Sequence, residues 1–479
     1  MALLDWLVRT LKMERDDWPP PAMKAHWDGV ALYREYFDLD KERMAKRTGF
    51  DRTPEKKKLF TPVPLAAEIC GYSADLLFSE EPDITFEDGT EQALLEEILE
   101  ANGFPAFLLE SGPKIATEGR GALRVIRDDE SADVPIITHV SEDMILWDVR
   151  HGRFVSGGYV VIPWKNNKWS EDVYRLVEEH RPGYVERTLF KGRGASLGSE
   201  VPLNSVDRFA GLEERTETGL DRPTLIRWDN VPGGRSDIAG QLTLLDRLNE
   251  FESLGVDKVR KSQPVTLADR KLADRQGAVD LNGIILTGGR SEIAGEGIAK
   301  TVETIQPDLQ AEEHLRFVEH VRNLIVTTSG YSLESFGEAT DGRADSGRAL
   351  KLRMTRTLLK KAGKDRMARE AMRTALATCA AWELGASSIK DYLPKVELGD
   401  GLPRDELDLA QVIATMEGAG AISTRTKVRM FHPDWTDEEI EAEVEAIDGQ
   451  NAPPQITVPR LSLEDPTSGN PTEPTTEEE

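Results

Sequence analysis

Apolar residues change their spacing several times along this chain of 479 residues, and each change predicts a change of element. Over residues 1 to about 110 the spacing is mainly helical, as around Leu94, Leu95, Ile98 and Leu99, with a turn predicted at Trp18-Pro19-Pro20-Pro21. From Ala122 to Trp228 the apolar runs shorten and become β-branched or aromatic. Ala122–Ile126, Tyr159–Ile162 and Val173–Val177 predict antiparallel strands. Helical spacing returns after Gly233-Gly234 with Ile238, Leu242, Leu245 and Leu248. Ser236 is the expected N-cap there, Asp237 sits near the positive helix end, and Pro264 stops a helix that runs to about Lys261. Gln263 to Gln306 predicts a small insert of short strands, notably at Gly283-Ile284-Ile285-Leu286, with glycine-rich turns. A second helix is predicted from about Pro307 to Thr328, with Leu315, Val318, Val321 and Ile325 on one stripe and Gly330 closing it.

A polar, glycine-containing stretch from Leu333 to Asp345 separates that helix from a helical run predicted over Ser346 to about Leu384. At 1.5 Å per residue the run is roughly 55 to 60 Å long. Leu350, Met354, Leu358, Met372 and Leu376 form one stripe while Leu352 and Leu359 project elsewhere, so more than one packing partner is expected. After Pro394, Leu407, Ala410, Ile413 and Met416 mark a further helix. Thr436 with Glu439 makes a capping box ahead of Ile440, Val444 and Ile447. From about Asn451 to Glu479 the chain is rich in Pro, Thr and Glu, the composition of a disordered acidic tail. The class is α+β, and the length predicts several domains.

Charge narrows the function classes. The formal net charge of -26 is the reverse of a broad phosphate-gripping surface, although an acidic surface suits a conduit in which DNA must slide without sticking. Between Arg343 and Arg373 the balance inverts, with eleven Lys or Arg against three Asp or Glu. Such a run fits either a solvated helix face paired with acidic neighbours or a position near a polyanion or an acidic subunit. No apolar run reaches the roughly 18 residues that span a bilayer, so no membrane partner is expected. Asp5 interrupts the first apolar stretch, which lacks a signal-peptide pattern, so synthesis in a cytoplasm is expected.

Catalytic and cofactor signals are weak. Cys70 and Cys379 lack metal-ligand spacing and are expected in the core, while His314 and His320, six apart, fall on different helix faces. Gly192-Arg193-Gly194-Ala195-Ser196-Leu197-Gly198 lacks the ending of a phosphate-cradling loop and predicts a flexible turn. No nucleophile triad or paired-carboxylate site can be assembled, so no enzyme activity, cofactor or metal is expected.

Several segments, in order, resemble the phage portal family of the SPP1 type. They are Tyr72–Pro82, Leu99–Phe104, Glu118–Val125, the helix, insert, helix order that follows, Asp345-Ser346-Gly347-Arg348-Ala349-Leu350-Lys351, and Ala419–Thr426 with the acidic helix after Trp435. The resemblance implies a multidomain portal fold with long helices, assembled as a ring. It divides the chain into the first part of a wing (1–232), stem helix 1 (233–262), clip (263–306), stem helix 2 (307–331), tunnel loop (332–345), long wing helix (346–385), helical crown (386–450) and acidic tail (451–479).

A twelve-fold homo-oligomeric ring at a capsid vertex of the virion would then carry double-stranded DNA in packaging and ejection. Terminase large subunit, head-tail connector or adaptor, and major capsid protein are the implied partners. The implied channel and tunnel-loop residues are Ser335, Phe336, Gly337, Gly342, Arg343, Arg348 and Lys351, with Arg343 foremost as a phosphate contact or an intersubunit ion pair. Another minor head or virion structural protein, or an acidic cytosolic enzyme, is the competing reading.

Overall fold

The computed structural model describes residues 18–86, 91–128, 131–150, 153–167, 169–261, 265–269, 284–287, 302–305, 310–337, 352–399, 406–432 and 435–451. Two compact units divide the chain between Leu402 and Pro403.

In the first unit, helices α1 (Pro21–Phe37), α2 (Lys41–Thr48), α3 (Pro54–Leu59) and α4 (Leu65–Phe78) lead to strand β1 (Asp83–Thr85), then to α5 (Gln92–Ala101) and α6 (Phe104–Glu118). Alternating apolar runs then build two sheets. One contains β2 (Arg120–Ile126), β3 (Ile136–Ser141) and, later in the chain, β10 (Leu225–Asp229), in the order β10-β2-β3. The other is a meander of β4 (Ile145–Arg150), β5 (Arg153–Trp164), β6 (Asp172–Arg181), β7 (Tyr184–Arg193) and β8 (Ser199–Val201), with β9 (Arg215–Glu217) also on β7. Buried Glu178 on β6 joins the sheets by accepting from Arg124 on β2 at 2.6 Å and from Arg187 on β7 at 3.1 Å. Burial alone would raise that carboxyl; the guanidinium groups and His180 override it and hold it well below the usual range. The glycine-rich 192–198 segment is pinned, not loose. Arg175 donates to the Gly194 and Ser196 carbonyls at 2.7 Å each, and a Cβ at Gly198 would strike the Lys191 carbonyl.

Helix α7 (Leu242–Lys261), strands β11 (Val265–Asp269), β12 (Ile284–Thr287) and β13 (Val302–Ile305), and helix α8 (Ala311–Thr328) form a helix pair with a three-stranded insert. Within the insert, β11 pairs parallel with β12 and antiparallel with β13. Helix α7 begins six residues after the expected N-cap. Ser236 accepts from the Ile238 N–H inside a turn, and the Asp237 carboxylate is drawn inward by lysines far along the chain. Pro307, the expected start of the second helix, lies outside the described residues. The end of α8 is as expected. Gly330, at φ +93°, donates to Thr327 O at 3.1 Å and Tyr331 donates to Val326 O at 3.3 Å, the paired bonds of a glycine-closed helix terminus.

Helix α9 (Thr355–Glu383) is the long helix, 29 residues and so about 43 Å. Leu352 and Arg353 are helical but Met354 interrupts before Thr355, and residues 346–351 lie outside the described set. Its second half is the centre of the unit. Ala371, Met372, Ala375, Leu376, Cys379 and Ala380 are each at most 2 % exposed, packed between helices α4 to α6 on one side and strands β2, β3 and β10 on the other. Small side chains all round let both layers approach. Both cysteines are buried and unpaired. Strand β14 (Lys395–Glu397) returns to pair with β1.

The second unit holds α10 (Glu406–Gly418), α11 (Thr424–Phe431) and α12 (Asp437–Asn451). The capping box forms: Thr436 Oγ1 accepts from the Glu439 N–H at 3.3 Å, and Glu439 Oε2 accepts from the Thr436 N–H at 2.8 Å. On α10 only Ile413 of the Ala410, Ile413, Met416 stripe is buried; Met416 stays 41 % exposed. The acidic segment 452–479 lies outside the described residues.

Candidate functional site

Helix α7 and helix α8 join the body at two chain crossings, Asp237 and 329–331, and both meet the same face of α9. That face of the helix carries Thr357, Lys360 and Lys364 ahead of its alanines, so two cations are delivered to the seam, while neighbouring Lys361 turns to the Gly399 carbonyl.

Lys364, 2 % exposed, uses its ammonium on three partners from three elements: Asp237 Oδ2, Ser73 Oγ of α4, and Asn230 Oδ1 just after β10. Lys360 reaches the other Asp237 oxygen at 3.0 Å and donates to the Ser329 carbonyl at the end of α8. Its Nζ lies 4.0 Å from the centre of the Tyr331 ring. Asn230 Nδ2 and the Tyr331 hydroxyl also donate to Asp237, at 3.1 and 3.2 Å.

Burial would raise the Asp237 carboxyl, but Lys364 and Lys360 hold it well below the usual carboxylate range. Burial lowers Lys360 to about 8 in spite of Asp237, with Lys364 adding to the shift. Burial and the Asp237 charge raise the Tyr331 hydroxyl and push the nearby Cys70 thiol to about 12. Both shifts keep the Tyr331 hydroxyl and the Cys70 thiol protonated at neutral pH.

From this cluster residues 332–337 run on along α9. The Ser332 N–H donates to Thr357 Oγ1 at 2.9 Å, and Ser332 Oγ donates to the Arg353 carbonyl at 3.0 Å. Ser335 shares a 2.9 Å hydrogen bond with the same Thr357 hydroxyl. Phe336 packs its ring 5.2 Å from Tyr72 and 6.1 Å from Tyr331. Gly337, exposed at φ +79°, ends this single turn of 3-10 helix. So Ser335 and Phe336 face the body of their own chain, and Gly337 is exposed. Gly342, Arg343, Arg348 and Lys351 lie outside the described residues.

The helix pair changes character along its length. Near the body, Leu245, Leu248, Val321 and Ile325 are at most 6 % exposed. Towards the insert, Leu254 is 44 %, Val259 57 %, Leu315 65 % and Phe317 50 % exposed. Phe317 meets Phe251 edge-on at 4.7 Å beside a cavity of about 300 Å³. The apolar stripe read on α8 is thus buried at Val321 and Ile325, while Leu315 is largely exposed. On α9, Leu352 and Leu359 are 69 % and 70 % exposed.

The cluster itself was missed on sequence grounds. Its signal was the placement of Lys360 and Lys364 on the helical face shared with Ala368, Ala371 and Ala375. Among the described residues no group of His, Cys, Asp or Glu could hold a metal ion, and no helix is long and apolar enough to cross a membrane.

A family model described as phage portal protein, SPP1 Gp6-like, matches residues 188–452. Two solved structures of modest similarity are the neck of an empty GTA particle computed with C6 symmetry and the neck of a native GTA particle computed with C12 symmetry. The first shares 13 % identity over 81 % of this chain and 92 % of that one, with a TM-score of 0.41. The second shares 14 % over the same fractions, with a TM-score of 0.39. No curated protein matches this chain.

Proposed function

The chain belongs to the SPP1-type phage portal protein family, and from that premise we propose that its copies close into a ring, a dodecamer, at the capsid vertex. DNA passes through the axis of that ring during packaging and ejection. The observation that carries this reading is the helix pair with its uncovered outer half. Leu254, Val259, Leu315 and Phe317, at 44 to 65 % exposure, leave large apolar side chains uncovered on more than one side of the helix pair, an apolar surface with a flank for each neighbour. Side-by-side copies joined head to tail would bury it and leave a central opening.

In this assembly residues 1–232 and 346–385 make the wing, 233–262 and 307–331 the stem, 263–306 the clip, 332–345 the tunnel loop and 386–450 the crown. The clip faces terminase large subunit and later the head-tail connector, and the wing contacts the major capsid protein. Ser335, Phe336 and Gly337 form the root of the tunnel loop, Gly342 and Arg343 belong to its channel side, and Arg348 and Lys351 face the channel from the start of the long wing helix. The duplex is touched weakly through its backbone, because every sequence must pass and tight phosphate binding would stall it. A net charge of -26 keeps most of the protein repulsive to DNA, and Arg343 is the foremost candidate for the phosphate contact, with an intersubunit ion pair as its alternative role. The chain has no catalytic role; ATP hydrolysis belongs to the partner motor.

Negative-stain microscopy of the purified chain tests the assembly: rings with an axial hole are expected, and monomers or dimers at high concentration would refute it. Particles carrying Arg343→Ala should package DNA more slowly or incompletely, and a normal rate and extent would remove Arg343 from the channel.

A further inference from the structure

The buried cluster has one carboxylate and two ammonium groups, so one lysine is surplus to neutralising Asp237. The geometry says which. Lys364 is enclosed, and its three protons are matched by Ser73, Asn230 and Asp237. Lys360 is 16 % exposed at its side chain, lies at the edge of the cluster, and spends its other bond on the carbonyl of Ser329 rather than on the body. Withdrawing Lys364 would strand Asn230 and Ser73. Withdrawing Lys360 leaves a balanced Asp237–Lys364 pair that Asn230 and Tyr331 still support.

We propose that Lys360 is a releasable latch that pins the root of the loop at 329–337 to the long helix, while Asp237 and Lys364 form the permanent joint. The latch closes over Gly330, where a Cβ would come within 3.3 Å of the Lys360 side chain. The same ammonium engages Ser329, Tyr331 and Asp237, so the end of α8, the loop root and the turn before α7 are tied at one point. When Lys360 swings into solvent, the loop root keeps the neutral hydrogen bonds of Ser332 and Ser335 at Arg353 and Thr357. Each is worth about 1 kcal/mol net. Tyr331, buried and bonded to Asp237, stays with the joint, while the chain on either side of it is freed to open, so one broken contact produces a discrete local displacement. The use of this motion to let a loop follow passing DNA rests on the portal reading; the latch itself does not.

Hydrogen exchange on the purified full chain separates the two. Lys360→Met keeps the aliphatic stem and removes the charge. Peptides spanning 329–337 should exchange at least tenfold faster in this variant, with those spanning 226–238 and 65–78 within twofold of the parent. Lys364→Met should raise exchange in all three regions and lower the melting temperature well beyond the Lys360→Met change. An unchanged rate at 329–337 in Lys360→Met, or an equal rise at 226–238, overturns the latch. If Lys364→Met does not fold, the Lys360→Met pattern decides alone, because a structural lysine would loosen every element of the cluster together. None of these readouts depends on ring formation, so the latch can fail while the ring stands, and the reverse.

Discussion

The two ends of the helix pair solve opposite problems. At the end near the body, charges lie out of water and every one of Asp237, Lys360, Lys364, Asn230 and Tyr331 has a partner within the chain. At the far end, Leu315, Phe317 and Val259 lie in water with little to cover them. The first end is complete in one copy. On the proposed ring the second is half an interface, so a single substitution should change folding at one end and association at the other.

The largest effect belongs to Asp237. Asp237→Ala leaves two ammonium groups facing each other without an anion, and breaking a buried pair in this way costs about 3 to 5 kcal/mol. Denaturant titration of the purified chain should show a loss of that size, and a change below about 1 kcal/mol would mean that the near end is not held by charge.

Next in size is a pH effect beside the same crossing, where Glu118 at the end of α6 pairs with Arg34 at 3.1 Å. Burial raises this carboxyl to about 7, with Arg34 opposing. The folded protein therefore binds a proton more tightly than the unfolded chain does. Its stabilising contribution is complete below about pH 4.5 and is lost as pH rises towards 7. Glu118→Gln should remove that dependence, so the variant gains about 2 to 3 kcal/mol on the parent between pH 4.5 and 7. Denaturation curves at several pH values measure it, and parallel profiles would refute it. His139, lowered by burial to about 4, slopes the other way but is common to both proteins and cancels in the difference.

How much of this was legible in the sequence follows the same division. The helix, insert, helix order, the glycine closing α8 and the capping box at Thr436 are local devices, written within a few neighbouring residues, and all three are present in the structure. Ser236-Asp237 carried an equally good local signal for a helix start, yet α7 begins at Leu242 because Asp237 is claimed by lysines more than 120 positions away. Local preference lost to a buried charge. The stripe on α8 was correct in period but silent on what covers it, since Leu315 and Ile325 look alike until packing separates them. Of the loop residues singled out, Ser335 and Phe336 were placed in the channel and tunnel-loop set by resemblance alone; their contacts with Thr357 and Tyr72 appear only in the folded chain.

Ser335→Ala tests that placement and carries a smaller cost. It removes one hydrogen bond to a hydroxyl that Ser332 still occupies, so stability should fall by about 1 kcal/mol or less. Exchange should rise at 335–337 but not at 329–331, and equal rises would mean the loop root moves as one piece.

The smallest expected change in a single copy is the most informative about the far end. Leu315 is 65 % exposed on α8, so Leu315→Ser removes little that the chain buries for itself. Surface substitutions of this kind stay within about 0.5 kcal/mol. If copies pack through this face, however, each loses a buried leucine at its contact, a loss of about 2 kcal/mol per interface by area that recurs at every interface of a closed ring. Melting temperature should therefore be unchanged for dilute monomer while sedimentation or negative stain shows rings replaced by smaller species. Val321→Ser, two turns nearer the body on a residue 6 % exposed, should do the reverse and destabilise the monomer first. Matching losses of monomer stability in the two variants would erase the distinction between a finished end and an unfinished one.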